Sequence, residues 1–498
     1  MEVPKPGRSH DAERSYDTAL AGTQHTPLTL LHLPNELLDA IVTFLDQSAL
    51  CSFALTCKKT ELSASEALYA TYTNRDAPSK APFHLFLRTL CNNPEVAFMV
   101  KELDVRGWRS EFEVATGLAW SGVTQAREED KIRSSRSGPV FVSTTKPAAT
   151  KSKALSLFED TAVRIGLLPV CDDPSVPPLK KTVVVGSTLR TDEDFLRLLR
   201  QGVEDAQFVL ILALLPNLAR LHVDGMSIYP TLDWHYCLRN SGTALRALHD
   251  LKIQGQSTSC GSVFHNATMN FLSLAPDLER LNISHVNVEN SRPVKNFMSN
   301  KKLRGFVATH SRVDLKTLQA MLSGHKLVKF CYKPAVGEIH AHEKEIFAED
   351  HVIDRLKDSQ HSLQELTLYS TTPSKAPLLS QFDKLDFLEM PFQPGFLGQD
   401  QQYIVSLLRK RIPTTLSVLT LRYVTPSDNV PNMMRILADL KHQGEFPELK
   451  VVRVNFCRCS RDPWFPPVPY PDFIPKALET FGEMLEKVGI QLELAQTD

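Results

Sequence analysis

The hydrophobic positions of this chain repeat one phrase, x-L-x-x-L-x-L, along most of its length. It occurs at Leu218/Leu221/Val223, Leu248/Leu251/Ile253, Leu278/Leu281/Ile283, Leu303/Phe306/Ala308 and Leu327/Phe330/Tyr332. It continues at Leu363/Leu366/Leu368, Leu385/Leu388/Met390, Leu416/Leu419/Leu421 and Leu449/Val452/Val454, with Val100/Leu103/Val105 as a separate first copy. The last two apolar positions of each copy alternate with period two, which predicts a short strand with one face buried. Between copies the spacing turns helical. Thr191 with Asp194 has the form of a capping box before Phe195, Leu198 and Leu199, and Ser311 with Asp314 repeats it before Leu315, Leu318, Met321 and Leu322, with Gly324 as the stop. Tyr403–Leu408, Met433–Leu440 and Phe473–Val488 add further helices, and the apolar run Phe208–Leu215 is a buried one. Strand alternating with helix predicts an α/β domain: a curved parallel sheet backed by helices, at irregular intervals of about 22–36 residues.

A different pattern precedes it. From Leu33 to Tyr69 the chain reads as three short helices. Pro34 suits a first helical turn, and Leu37, Ile41, Phe44 and Leu45 follow on one helical face. Asp46-Gln47 is a polar break, Ser48 is a candidate N-cap for the second helix with Leu50, Phe53, Ala54 and Cys57 on one side, and Leu62, Leu68 and Tyr69 belong to the third. So small a unit buries too little surface to enclose a core alone, so Leu33, Leu38, Val42 and Leu45 call for a covering partner.

The order Leu33-Pro34, Glu36-Leu37, Ile41, Phe44-Leu45, Leu50, Phe53, Cys57-Lys58 resembles the F-box family. Many members carry Trp or an Arg pair where this chain has Lys59-Thr60. The resemblance implies docking onto a Skp1-like adaptor and, through it, onto cullin and RING subunits of a ubiquitin ligase. It implies an adaptor-binding surface drawn from Leu33, Pro34, Glu36, Leu37, Ile41, Leu45, Leu50 and Phe53. The repeated phrase resembles the irregular leucine-rich repeats that many F-box proteins carry, although the Asn or Cys ladder position of that family is missing from most copies. The expected organisation is a disordered tail (1–27), an F-box (28–72), linker helices with a first repeat-like strand (73–120), a disordered insertion (121–154) and a repeat domain (155–498). The insertion is rich in Ser, Thr, Lys and Arg and poor in large apolar residues. Pro169–Pro178 is a second linker.

Composition narrows the function classes. Of 498 residues 42% are hydrophobic and 23% charged, as in a soluble globular protein, and a formal net charge of −1 gives no global pull toward nucleic acid or anionic membrane. The first 26 residues are polar, unlike a signal peptide, and no apolar run reaches the twenty or so residues of a membrane span. Nine scattered cysteines without a Cys-x-x-Cys pair point to a reducing, intracellular compartment, cytoplasm or nucleus, and Cys457 and Cys459 lack a second pair for zinc. His340, His342, Glu343 and Glu345 form a polar turn. No phosphate loop, nucleophile elbow or metalloprotease helix is present, and no cofactor is expected. The chain therefore reads as a non-catalytic substrate adaptor of a Skp1–cullin–F-box ligase. The alternative is a repeat scaffold that binds Skp1 or another helical partner without directing degradation. In either case a protein target meets the exposed residues between the buried repeat positions: His222, Asp224, Lys252, Gln254, Asn282, Glu389, Arg422, Arg453 and Asn455.

Overall fold

The computed structural model describes residues 30–74, 83–106, 140–142, 153–168, 182–184, 192–224, 232–255, 262–263, 270–288, 302–313, 315–334, 349–369, 379–391, 401–424, 430–457 and 481–497. The chain divides into two compact units, Met1–Tyr69 and Ala70–Asp498.

The first unit is helical. A short 3-10 turn, Leu30–His32, leads through Pro34 (φ −54°) into α1, Asn35–Val42. Helix α2 spans Gln47–Ala54 and α3 spans Lys58–Ala70. The cap of α2 is Asp46 and not Ser48: its backbone is extended and its carboxylate accepts the Ala49 amide at 2.7 Å. That places the strongest acceptor beside the unpaired amides of the first turn, where the helix dipole also favours negative charge. A small core forms from Val42, Leu50 and Ala64, with Leu45, Phe53, Ala54, Ala67 and Leu68 half-buried against it.

The second unit is built on one parallel sheet whose twelve main strands follow one another in space in the order they follow in sequence. They are β1 Thr71–Thr73, β2 Glu102–Arg106, β3 Arg220–Asp224, β4 Asp250–Gln254, β5 Arg280–Ser284 and β6 Gly305–Val313. Then come β7 Lys329–Pro334, β8 Glu365–Leu368, β9 Phe387–Pro391, β10 Val418–Val424, β11 Val451–Cys457 and β12 Gln491–Thr497. All ten x-L-x-x-L-x-L copies supply strands β2 to β11, and their apolar positions are buried throughout. Strands β1 and β12, which carry no copy of the phrase, form the two edges. The expected curved solenoid is met in its parallel strands and intervening helices but not in a curling of the sheet, which is an open path.

One backbone contact recurs at nearly every strand start. The carbonyl of Lys101 accepts the amides of both Ala219 and Arg220, at 2.8 and 3.0 Å. The carbonyls of Ala219, His249, Glu279, Arg304, Val328, Gln364, Asp386 and Ser417 each accept the corresponding two amides of the following unit. A single residue just ahead of each strand therefore aligns the next strand, whatever the length of chain between them. The same peptide groups are satisfied in the process, as burial requires.

The connecting segments lie as the apolar pattern requires. Asp192–Arg200 buries Phe195, Leu198 and Leu199. Glu204–Leu214 is buried from Glu204 to Ala213; its Asp205 carboxylate accepts the Leu232 amide at 2.7 Å, and Phe208 packs on Trp234 with ring centroids 5.1 Å apart. The helices Leu315–Leu322, Gln401–Arg411 and Val430–His442 match their sequence signals. Ser311 is not a cap. It lies in β6, its hydroxyl donating to the Thr309 carbonyl (2.9 Å) and accepting the Val286 amide (3.1 Å).

That contact belongs to a corner. His285 and His310 hold left-handed backbones (φ 54° and 48°), and their rings stack 4.9 Å apart, inclined by 13°. Beyond the corner β6 pairs with the short strand Val286–Val288, which also pairs with Ser262–Val263. A left-handed residue costs on the order of 1 kcal/mol or more unless its surroundings fix it. Here the His285 amide donates to the Thr309 carbonyl at 3.0 Å.

Much of the expected insertion lies outside the described residues, as do Pro169–Pro178, Cys459 and the His340–Glu345 turn. Within the insertion, Val140–Val142 pairs antiparallel with Thr182–Val184.

Two outcomes follow. Leu388→Ala, at a position buried without remainder, lowers the unfolding free energy by about 2–5 kcal/mol in urea titrations followed by circular dichroism. Burial, and next the neighbouring His310, hold the His285 imidazole below its usual value of 6.5, with Asp224 pulling the other way. The unfolded chain then takes up the proton first, so the stabilisation is present above about pH 6.5 and is lost as pH falls from there through the folded value. Melting temperatures of wild type and His285→Asn, compared from pH 7.5 to 5.5, show the wild type losing more.

Candidate functional site

In the helical unit, the residues singled out for adaptor binding divide by exposure. Pro34, Glu36 and Leu37 are exposed, while Leu33, Ile41, Leu45 and Phe53 are half-buried. Leu50 is inside the small core, as is Val42; Leu38 is buried as well. The large apolar side chains left in solvent overlap that set only at Leu37; the others are Leu30, Leu62, Phe44 at 89% exposure and Leu55 at 88%. Phe44 and Leu55 occupy the turns that follow α1 and α2, so Phe44 does not continue the helical face expected of it. Side chains of that size in water at the ends of short helices are candidates for an interaction surface.

The unit's tail supplies an internal fastening. The Lys59 ammonium donates to the Leu33 carbonyl at 2.6 Å, across 26 positions of sequence. Thr60, buried, accepts the Cys57 amide at 3.2 Å, and its hydroxyl lies 2.6 Å from that of Thr56 and 3.3 Å from Cys57 Sγ. Hydrogen bonding from Thr60 holds the Cys57 thiol below its usual value. So Lys59-Thr60, the departure noted in the sequence, ties the start of α3 back to the Leu33-Pro34 turn.

In the sheet unit, strand register sorts the remaining candidates. One row across the polar face runs Asp104, His222, Lys252, Asn282, Val307, Cys331, Thr367, Glu389, Thr420, Arg453, Glu493. The row beside it holds Asp224, Gln254, Ser284, Thr309, Lys333 and, further on, Pro391, Arg422 and Asn455. All nine predicted target-facing residues thus lie in two adjacent rows of one face. They are not uniformly exposed. Glu389 and Asn455 are buried, against expectation.

The reason for Glu389 is local charge. Its carboxylate pairs with Arg422 and with Lys333 Nζ (3.4 Å), accepts the Tyr369 hydroxyl, and lies 3.5 Å from Thr367 Oγ1. Both cations also sit over the Tyr369 ring, at 4.7 Å for Lys333 and 5.5 Å for Arg422. A buried carboxylate is tolerable when paired and hydrogen-bonded in this way. Elsewhere on the face, Arg453 pairs with Glu493 at 2.5 Å and His222 with Asp104 at 3.2 Å. Cys331, buried in the same row, has its thiol pushed up to about 11, chiefly by burial. A third row, at the start of the strands, alternates in sign through Glu102, Arg220, Asp250 and Arg280, with Lys329–Glu365 beyond; the pairs close at 2.5–2.9 Å. That row then turns apolar at Phe387, Val418 and Val451.

The family model of the F-box domain matches residues 30–62. Residues 30–62 are an F-box domain. The match spans α1, α2 and the first part of α3, and includes Phe44, Leu55, Lys59 and Leu62 beside the predicted anchors. An F-box domain implies Skp1 as a partner within an SCF-type ubiquitin ligase. No curated protein matches the chain. Among the described residues no cluster of three or more metal-binding side chains occurs, and no helix is long and apolar enough to cross a membrane.

The Lys59 contact is testable on its own. Lys59→Met leaves the Leu33 carbonyl without its ammonium donor and lowers the stability of the F-box by about 1–2 kcal/mol, read as an earlier transition in thermal unfolding of the whole chain.

Proposed function

We propose that this chain is the substrate-recognition adaptor of a Skp1–cullin–F-box ubiquitin ligase. The observation that carries the reading is the F-box domain at 30–62, with large apolar side chains left exposed on it. Leu33, Pro34, Glu36, Leu37, Ile41, Leu45, Leu50 and Phe53 make up the Skp1-facing region in this reading. Direct anchoring falls to its exposed members, joined by Phe44, Leu55 and Leu62, while Leu50 holds their helices together. A few apolar anchors dominate such contacts.

The strand–helix units are, in this proposal, irregular leucine-rich repeats whose polar face recruits a protein target inside the cell. The bond-making chemistry belongs to the ligase partners. The adaptor's contribution is proximity: it turns a bimolecular transfer onto the target into an effectively local one. The mixed charge of the face suits a protein surface better than a polyphosphate backbone.

Leu33→Ala with Pro34→Ala abolishes Skp1 co-precipitation while the circular dichroism of the sheet unit is unchanged. Undiminished capture by the double variant refutes the assignment of these residues. Cullin and RING subunits recovered with the wild type separate a ligase adaptor from a scaffold that engages Skp1 alone.

A further inference from the structure

We infer that the polar face of β7–β11 is a docking surface for an extended peptide segment that turns an acidic side chain and, at even spacings from it, apolar side chains toward that face. The inference rests on the reading that this sheet recruits a protein target, and it names the class of segment bound.

Four observations converge. First, Lys333 and Arg422 share a single carboxylate, Glu389; among the described residues no second acidic side chain pairs with either. An ammonium has three N–H donors and a guanidinium five, so Glu389 leaves several of them unused. Both cations keep part of their side chains in solvent, 24% for Lys333 and 28% for Arg422, while Glu389 beneath them is buried. Arg422 Nε is buried without a hydrogen-bond partner among the described residues, and the exposed parts of both side chains can meet an outside acceptor.

Second, Thr420 is buried in the next strand position to Glu389, and its hydroxyl has no partner among the described residues. An unpaired buried hydroxyl is costly, and a ligand that supplies an acceptor relieves it. Third, the row beside Glu389 and Thr420 is Phe387, Val418 and Val451, apolar and half-exposed on the same face. Over β2–β5 that row is instead a series of charges already paired with one another. The face thus changes from self-satisfied charge to an apolar stripe with the Lys333 and Arg422 cations two rows away. Fourth, Lys333, Arg422 and Glu389 sum to one positive charge, which favours an anion arriving from outside.

Glu389 then acts as an internal stand-in for the ligand. It holds Lys333 and Arg422 over Tyr369 in the absence of target, and an incoming carboxylate or phosphate takes their outward N–H groups. Guanidinium recognises either anion through paired hydrogen bonds. Apolar side chains at even spacings from that anion share its side of the extended segment and fall on Phe387, Val418 and Val451.

The test uses the full chain with its Skp1 partner and three fluorescent twelve-residue peptides in which every second residue is Thr and the positions between hold Leu in turn with Glu, with phosphoserine or with Lys. Fluorescence anisotropy is expected to show binding of the Glu peptide, the phosphoserine peptide or both, and none of the Lys peptide. The preferred anion tells a carboxylate site from a phosphate site. Arg422→Gln with Lys333→Gln weakens binding tenfold or more. Glu389→Gln, which removes the competing carboxylate, tightens it severalfold. Lys357→Gln, at a surface pair with Asp354, is the control. Melting temperatures verify that each variant is folded; for any that is not, Arg422→Lys replaces it, keeping the charge but losing the paired donors.

Absence of binding by both anionic peptides up to millimolar concentration overturns the inference. So does a loss caused by Lys252→Gln and not by Arg422→Gln, or equal binding of the Lys peptide. Skp1 capture is measured on the same preparations. Normal capture without peptide binding overturns this inference alone, whereas failed capture by wild type overturns the adaptor reading alone.

Discussion

The sheet depends on the carbonyl that precedes each strand. By accepting two successive amides from the next unit, it fixes where that unit's strand begins, and the residue pairs that follow are set by counting until the shifts near Thr309 and Arg422. Loop length then drops out of the alignment. The chain between β2 and β3 holds more than a hundred residues and the chain between β6 and β7 about fifteen, yet both connections end on the same paired contact. Closing a longer loop costs little more than closing a short one, because the entropy grows only with the logarithm of length. Irregular spacing is thus compatible with regular register.

Register in turn sorts side chains. Because successive residues of a strand face opposite ways, one aligned start puts Leu221, Leu251, Leu281, Phe306, Phe330, Leu366, Leu388, Leu419 and Val452 in a single buried row. A slip by one residue would exchange the two faces, so the buried row makes it costly. The alternating signs at Glu102, Arg220, Asp250 and Arg280 reinforce the same alignment across strands, with a modest contribution because these pairs are open to solvent. The polar face inherits its order from the core beneath it.

How much of this was legible in the sequence follows from the range of each interaction. Strands β2–β11 were, because a period-two apolar pattern is local and each copy states it in full. Strand β1 was not, since Thr71–Thr73 buries too little to show a pattern, and neither was β12, whose Leu492 and Leu494 are half-buried and exposed at the sheet's edge and carry no copy of the phrase. Caps were legible in type but not in place. Ser48 and Asp46 are two residues apart and both capable, and the carboxylate won; Ser311 has the capping-box spacing but is taken by a neighbouring strand. The polar face could be named from alternation alone. The burial of Glu389 could not, because its partners Lys333, Tyr369 and Arg422 lie 20 to 56 positions away in sequence. In the F-box, helical period grouped Phe44 with Leu37, Ile41 and Leu45, but the helix ends at Val42 and leaves Phe44 in a turn. Val42, expected to need a covering partner, and Leu50, expected on the adaptor surface, are instead buried in the unit's own small core, which depends on packing between helices that no local period states. Leu55 was not singled out.

That asymmetry bears on how such a molecule can vary. Backbone acceptors hold the sheet in register, and apolar rows hold it together. The polar face is thereby released from both tasks. Replacing Arg422 or Lys333 touches no pre-strand carbonyl and no buried apolar row, but it strips a counter-charge from the buried Glu389. The exposed apolar side chains of the F-box are free in the corresponding sense, since Phe44, Leu55 and Leu62 lie outside its small core. Both surfaces lie apart from the backbone contacts and apolar rows that fold their units. In the proposed adaptor each contact can then be tuned with little change to the scaffold beneath, save where a side chain such as Arg422 neutralises the buried Glu389.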